Sequence, residues 1–314
     1  MSLERALELA ERGRKRVEHT HPLVGAVVVG NGEAVGEGWY AGRGTPHAEV
    51  VALEEAGDRA RGATLFVTLE PCSHHGATPP CADAVIAAGI SRVVAGAVDP
   101  NPEVDGRGFA RLREAGIEVE LVDSWEARRQ NEAWRTWISR RRPFVVYKVA
   151  VTLDGRIAIP GSRWISGEES RRRVHELRAE SDAVAVGMGT VRADDPALTA
   201  RGVGAETQPR RLAFGRGPLP EGSELELRSG PLAEELKTLA REGVRTLLLE
   251  GGPTLAGAFL AADLVDKLLV FVAPTLAGAG AGPVASLPEP QTLRRLSSEQ
   301  VGEDVLLTAY VHEL

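Results

Sequence analysis

The stretch between residues 47 and 81 gathers the most reactive side chains of the chain into a short span. His47-Ala48-Glu49 is followed by Pro71-Cys72, and Cys81 comes nine positions after Cys72. One imidazole and two thiolates make a three-ligand set for zinc, with the fourth position open to water. Zinc so held lowers the pKa of its water toward ~7. A carboxylate two residues from a ligand, Glu49, is placed to take that proton and pass it to a substrate. The bland alternative is that two cysteines are plain buried residues and that His-x-Glu arises by chance. The joint pattern, with each piece near an expected strand, favours the metal. His74 and His75 are rival ligands within the loop, but the His-Cys-Cys set is complete without them, and they are expected to line the pocket.

These positions need elements that bring them together. Leu3, Ala6, Leu7 and Ala10 follow helical spacing. Residues 23–29 form a short apolar run expected to be a buried strand, with 34–40 as its hairpin partner. Helix 47–55, strand 64–69, helix 81–88, strand 92–98, helix 108–115 and strand 117–122 follow in alternation, which implies a layered α/β sheet. His47 and Glu49 then sit near one helix start and Cys81 near another, where the positive helix end favours thiolate. Residues 125–142 read as one charged helical segment ended by Arg140-Arg141-Arg142-Pro143. The domain boundary is placed there, giving domains 1–143 and 144–314.

The second half starts a new sheet at 144–151 and alternates again. Helices are expected over 168–179, 232–241 and 254–261, and strands over 183–186, 210–214, 246–249, 264–273 and 305–311. Residues 200–230, rich in Gly, Pro and charge, support no firm assignment beyond the strand at 210–214. Lys148 lies inside an apolar strand, where a lysine needs a partner or a ligand, and a substrate-facing role is expected. Asp154, ahead of Gly155, reads equally well as a turn residue or a functional one. There is no G-x-G-x-x-G behind a strand, so the Rossmann fingerprint is missing. Gly251-Gly252-Pro253-Thr254 opens a helix whose N–H groups suit a phosphate, although such a start is commonly only structural.

The whole-chain arithmetic limits the partners. A chain of 314 residues suggests two domains, and 43% hydrophobic with 26% charged residues is ordinary for a globular protein. The net charge of -7 and pI near 5.6 argue against a general nucleic-acid binder. Sparse cysteine fits a reducing cytoplasm, and the charged first twenty residues do not make a signal peptide. The uncharged stretch 268–287 is interrupted by Pro274, Pro283 and glycines, so a strand and loop are expected there and not a membrane span. Whether chains associate as a homo-oligomer is left open.

His-x-Glu followed by Pro-Cys and a second cysteine resembles the zinc-dependent cytidine deaminase superfamily. The long loop from Cys72 to Cys81, with Asp99-Pro100-Asn101-Pro102 and Gly106-Arg107-Gly108, is similar to the riboflavin-biosynthesis pyrimidine deaminases. The likeness continues in Lys148-Val149-Ala150-Val151-Thr152-Leu153-Asp154-Gly155, Trp164-Ile165-Ser166, Gly187-Met188-Gly189-Thr190, Asp194-Asp195-Pro196-Ala197-Leu198-Thr199 and Glu250-Gly251-Gly252, which resemble that family's reductase domain. The resemblance implies a cytidine-deaminase-like three-layer α/β/α domain followed by a dihydrofolate-reductase-like α/β domain. It implies zinc-dependent deamination of a diaminopyrimidinone ribosylamine 5'-phosphate, then NADPH reduction of the ribosyl chain to ribityl. By matching position it puts Ala150, Trp164, Thr190, Asp194 and Gly252 at NADPH, and Ser162, Arg178, Leu198, Arg201, Glu250 and Asn101 at the substrate. Arg178 and Arg201 suit a phosphate, because guanidinium forks match its oxygens.

The chain departs from the family pattern at His21, Tyr40 and Ala77, all expected to flank the deaminase substrate, and it is shortened between 212 and 232. The competing expectation is a zinc deaminase of another nucleobase-like amine whose second half only binds or regulates. A reductase with a degenerate first half is opposed by the intact His47, Glu49, Cys72 and Cys81.

Overall fold

The computed structural model describes all residues except 1, 15–20, 75–78 and 103. The chain divides into two compact units, Met1–Arg140 with Leu314, and Arg141–Glu313. In the first, the elements run α1 (Ser2–Glu11), β1 (Gly25–Gly30), β2 (Glu33–Trp39), α2 (Ala48–Ala56), β3 (Thr64–Val67), α3 (Cys81–Ala87), β4 (Arg92–Ala95), α4 (Arg107–Glu114), β5 (Glu118–Leu121), α5 (Trp125–Gln130) and α6 (Glu132–Arg140). The sheet order is β2-β1-β3-β4-β5. β1 is antiparallel to β2 and β3, and β3, β4 and β5 are parallel.

Alternation along the strands explains the layers. Ala26 and Val28 of β1 point into a core with Leu65, Val67, Val93 and Ala95 and with Ala52, Val85 and Leu112 of the helices. Val27, one residue out of phase, meets Ala6 and Leu9 of α1 on the other face. α2 lies so close on β2 that a Cβ at Gly38 would stand 2.1 Å from the Ala48 carbonyl oxygen. Only glycine fits there, and the close fit fixes the helix that carries Glu49.

The second unit contains β6 (Phe144–Thr152), α7 (Glu168–Ala179), β7 (Ala183–Gly187), α8 (Met188–Asp194), β8 (Arg210–Phe214), β9 (Glu226–Arg228), α9 (Leu232–Arg241), β10 (Thr246–Leu249), α10 (Pro253–Ala261), β11 (Lys267–Ala273), β12 (Arg294–Val301) and β13 (Asp304–Tyr310). Its eight strands lie in the order β12-β13-β11-β6-β10-β7-β8-β9. β11 to β9 are parallel, and β13 and β12 add an antiparallel edge. Val145, Tyr147, Ala183, Leu212 and Leu247 of the central strands pack with Leu236, Leu239 and Phe259 of α9 and α10. Residues 268–287 form the rest of β11 and a loop. No helix among the described residues is long and apolar enough to cross a membrane.

The structure departs from the sequence expectations at several positions. The helix expected over 125–142 is two, broken at Asn131, whose buried amide takes the Leu23 N–H at 2.7 Å and donates to the Leu23 carbonyl at 2.9 Å. α8 starts on the residue after β7 ends, with no turn to announce it. β12 is exposed along nearly its whole length, so no apolar alternation marked it as a strand.

Candidate deaminase and reductase sites

His47 caps α2 with extended backbone (φ -69, ψ 159), and Cys81 is the first residue of α3. The His47 Nδ1 is 3.0 Å from the Cys81 Sγ and 3.7 Å from the Cys72 Sγ. The three donor atoms lie within 4.8 Å of one another, a span that ligand bonds of about 2.0–2.3 Å can bridge. Both cysteines are free thiols. Cys72 is pulled down to about 4, first by the hydrogen bond from Cys81, and Cys81 is pushed up by giving that bond. A cation among them would let both be thiolates at once, so the donor set fits zinc. The Cys81 backbone N–H also donates to the Cys72 Sγ at 3.3 Å.

Glu49 is buried, 3% exposed, and burial lifts its carboxyl to about 7. The Tyr40 ring meets His47 edge-on with centroids 5.5 Å apart, and His21 packs on Tyr40 at 6.0 Å. Two of the departures from the family pattern therefore meet beside a ligand. His74 is not part of the trio, and its buried Nδ1 has no partner among the described residues. His75 and Ala77 lie outside the described residues.

The loop bearing Asn101 is tied to Cys72 through Glu70. This buried carboxylate accepts from the backbone N–H groups of Asp99, Gly106, Gly108 and Phe109 at 3.3, 3.0, 2.9 and 3.3 Å. Asp99, raised to about 7 mainly by burial, accepts the Asn101 N–H at 2.8 Å. Sequence reasoning passed over Glu70, although its place beside Pro71-Cys72 was a signal.

In the second unit Glu250 follows β10 and collects two cations. Arg178 of α7 grips it with Nε and Nη2 at 2.6 and 3.0 Å, and the Lys148 Nζ of β6 is 3.7 Å away. Burial pushes the Glu250 carboxyl up, but Lys148 and Arg178 outweigh it and the net shift is down. Burial lowers Lys148 against the pull of Glu250. Arg178 also donates to the Thr199 carbonyl at 3.2 Å, which ties in the segment carrying Leu198 and Arg201. The fork expected to meet phosphate is thus engaged by Glu250.

Gly252 caps α10 with Pro253 behind it, and a Cβ there would sit 3.5 Å from the Thr190 Oγ1. Ala150 stands in β6 opposite Phe271. Ser162 and Trp164 form a turn of their own through the Ser162 hydroxyl, which donates to the Trp164 carbonyl at 2.8 Å. The indole is 54% exposed between the Arg163 and Arg171 guanidinium groups. Asp194 ends α8 at the surface, and no hydrogen bond or ion pair joins it to the others among the described residues. Asp154 is a fastener: it takes the Thr152 hydroxyl and the N–H groups of Ala277 and Gly278 at 2.6, 3.0 and 2.8 Å.

Residues 1–97 match the cytidine and deoxycytidylate deaminase zinc-binding region, and residues 143–307 match the RibD C-terminal domain. The riboflavin biosynthesis protein RibD of Aquifex aeolicus is 41% identical over 341 residues, spanning 96% of this chain and 95% of that protein. The chain belongs to the RibD family of riboflavin biosynthesis enzymes. The Escherichia coli RibD is also 41% identical, over 91% of this chain and 90% of its own. The structure of Acinetobacter baumannii RibD superposes with a TM-score of 0.81 at 37% identity, covering 98% of this chain and 97% of that one. A Thermotoga maritima structure, named a diaminohydroxyphosphoribosylaminopyrimidine deaminase/5-amino-6-(5-phosphoribosylamino)uracil reductase, gives 0.78 at 35% identity, over 98% and 97% of the two chains.

RibD membership assigns the first unit the cytidine-deaminase fold and the second the dihydrofolate-reductase-like fold. The chain is a bifunctional deaminase and reductase. The reading in which the second half only binds or regulates is set aside, because that half is the RibD reductase domain.

Proposed function

We propose that the first unit exchanges the 2-amino group of a diaminopyrimidinone ribosylamine 5'-phosphate for oxygen, and that the second reduces the sugar of the resulting aminouracil to a ribityl chain. The observation that carries the first step is the His47, Cys72 and Cys81 trio with a buried carboxyl, Glu49, two residues from the ligand His47. Those three residues would hold zinc, which makes water a nucleophile near neutral pH. Glu49 takes the proton from the attacking water and delivers it to the departing nitrogen, so that ammonia leaves as a neutral molecule. Asn101, held by the Asp99 turn, contacts the substrate.

NADPH supplies the hydride of the second step. Gly252 with Thr190 would receive a phosphate of the cofactor at the α10 start. Ala150, Trp164 and Asp194 complete that side of the site. The sugar ring first opens to the imine, its former ring oxygen becoming a hydroxyl. Hydride then adds to the imine carbon, the C=N pair moves to nitrogen, and a proton must reach that nitrogen. Lys148, buried beside Glu250 with its pKa lowered, is suited to supply it. Arg178 orients Glu250, Leu198 and Ser162 shape the pocket, and Arg201 meets the substrate phosphate. Two free cysteines suit a cytoplasmic setting.

The test is incubation with the diaminopyrimidinone phosphate, analysed by mass. Without NADPH the expected product has exchanged nitrogen for oxygen. With NADPH it gains two further hydrogens. A substrate recovered unchanged, or NADPH consumed with no substrate present, would overturn the assignment.

A further inference from the structure

No residue from 198 to 201 belongs to a helix or strand, yet this segment is held residue by residue. Leu198 is buried in left-handed backbone (φ 50). The Gln208 amide clamps Ala200, accepting its N–H at 2.8 Å and donating to its carbonyl at 2.9 Å. Arg178 holds the Thr199 carbonyl, and a further clamp is His175, which lies three residues before Arg178 on α7 and so shares its face. The His175 Nδ1 is 3.0 Å from the Thr199 carbonyl oxygen and 3.3 Å from the Arg201 backbone nitrogen.

One ring nitrogen cannot serve both. Its lone pair suits an N–H, and a proton on it suits a carbonyl. The Thr199 oxygen already accepts from Arg178. The described residues offer the Arg201 N–H no acceptor but the ring. With Thr199 supplied by Arg178, a neutral ring protonated on Nε2 gives the Arg201 N–H its acceptor, although the same nitrogen then stands 3.0 Å from the Thr199 oxygen without bonding it.

We propose that neutral His175 is a positioning residue of the reductase, holding the Arg201 backbone so that its guanidinium is aimed at the substrate phosphate. The proposal rests on the reading of Arg201 as the phosphate contact. The charged groups facing the ring are Arg178 on its own helix, Arg201 on the clamped segment and Glu250 behind β10. Burial, then Arg178 and Arg201, lower the ring below the usual histidine range, with a bond to the Thr199 carbonyl and then Glu250 opposing. The acceptor bond is thus whole above the ordinary value near 6.5 and is lost as pH falls through the lowered one. A proton on Nδ1 would go to the Thr199 carbonyl and leave the Arg201 N–H facing a donor.

The test compares KM for the aminouracil phosphate in wild type, His175→Ala, His175→Asn and Arg201→Ala, from neutral to mildly acid pH. His175→Ala should raise KM about three- to tenfold at neutral pH, with a smaller change in kcat. His175→Asn places an amide oxygen near the Nδ1 position and does not titrate. It should restore KM and remove the acid-side rise of the wild type. Thermal melting and the deaminase rate of each preparation control for folding, and the Asn variant carries the test if the Ala variant melts early. A folded His175→Ala enzyme with wild-type KM, or an acid rise kept in His175→Asn, would overturn the proposal. If Arg201→Ala raises KM and the His175 variants do not, the positioning role alone fails. If Arg201→Ala leaves KM unchanged, the phosphate assignment fails with it.

Discussion

The Glu70 carboxylate accepts the backbone N–H of Gly108 at 2.9 Å, so the start of α4 is bolted to the segment that leads into Cys72. The junction is tight. A Cβ at Gly108 would stand 2.0 Å from the Pro71 carbonyl oxygen.

Gly108→Ala should therefore displace Pro71 and the cysteine behind it. We expect zinc content per chain to fall and deamination to fall with it, while reduction of the pre-formed aminouracil continues. Metal analysis beside the two activity assays checks this. A variant with full zinc and full deamination would show that the segment yields without cost.

Glu49→Gln keeps the shape of a buried side chain and removes its ability to carry a proton. Loss of general acid–base help costs ~10²–10⁴ in rate. Deamination should drop by that much with zinc retained, and reduction should be unaffected. Wild-type deamination in this variant would rule Glu49 out as the proton carrier.

Glu250→Gln leaves Lys148 and Arg178 beside a neutral amide in a buried site. Removing one partner of a buried charged group costs about 3–5 kcal/mol. Urea unfolding should report a loss of that order, and reduction should fall well below wild type. A fully stable variant would mean that water reaches the two cations.

Asp154→Asn should loosen the turn at Ala277 and Gly278. The carboxyl is drawn down to about 2, first by the Thr152 hydroxyl and then by the two amides. A depressed carboxyl gives its full stabilisation above the ordinary value of 3.8 and loses it as pH falls through about 2. Hydrogen exchange at Ala277 and Gly278 should accelerate in the variant at neutral pH, and in the wild type only well below pH 3.8. Equal exchange in the two proteins at neutral pH would show that the turn holds without Asp154.

The residues of this chain determine, by themselves, whatever depends on short-range pattern. Ala26, Val27 and Val28 alternate toward two faces because strand side chains do. His47, Cys72 and Cys81 each follow or open an element whose end is visible locally, so their meeting was legible from spacing and ligand type. Features resting on distant partners were not. Arg178 is gripped by none of the nearby Glu176, Glu180 and Asp182 but by Glu250, 72 positions further on. Asn131 breaks a helix because Leu23, 108 positions earlier, needs its amide. β12 lacks an apolar face, and only pairing with β13 makes it a strand. Glu70 and His175 look like ordinary polar residues until folding brings backbone N–H groups to them. A hydrogen bond needs two groups within about 3 Å, and sequence periodicity carries no information about which distant backbone groups will stand that close.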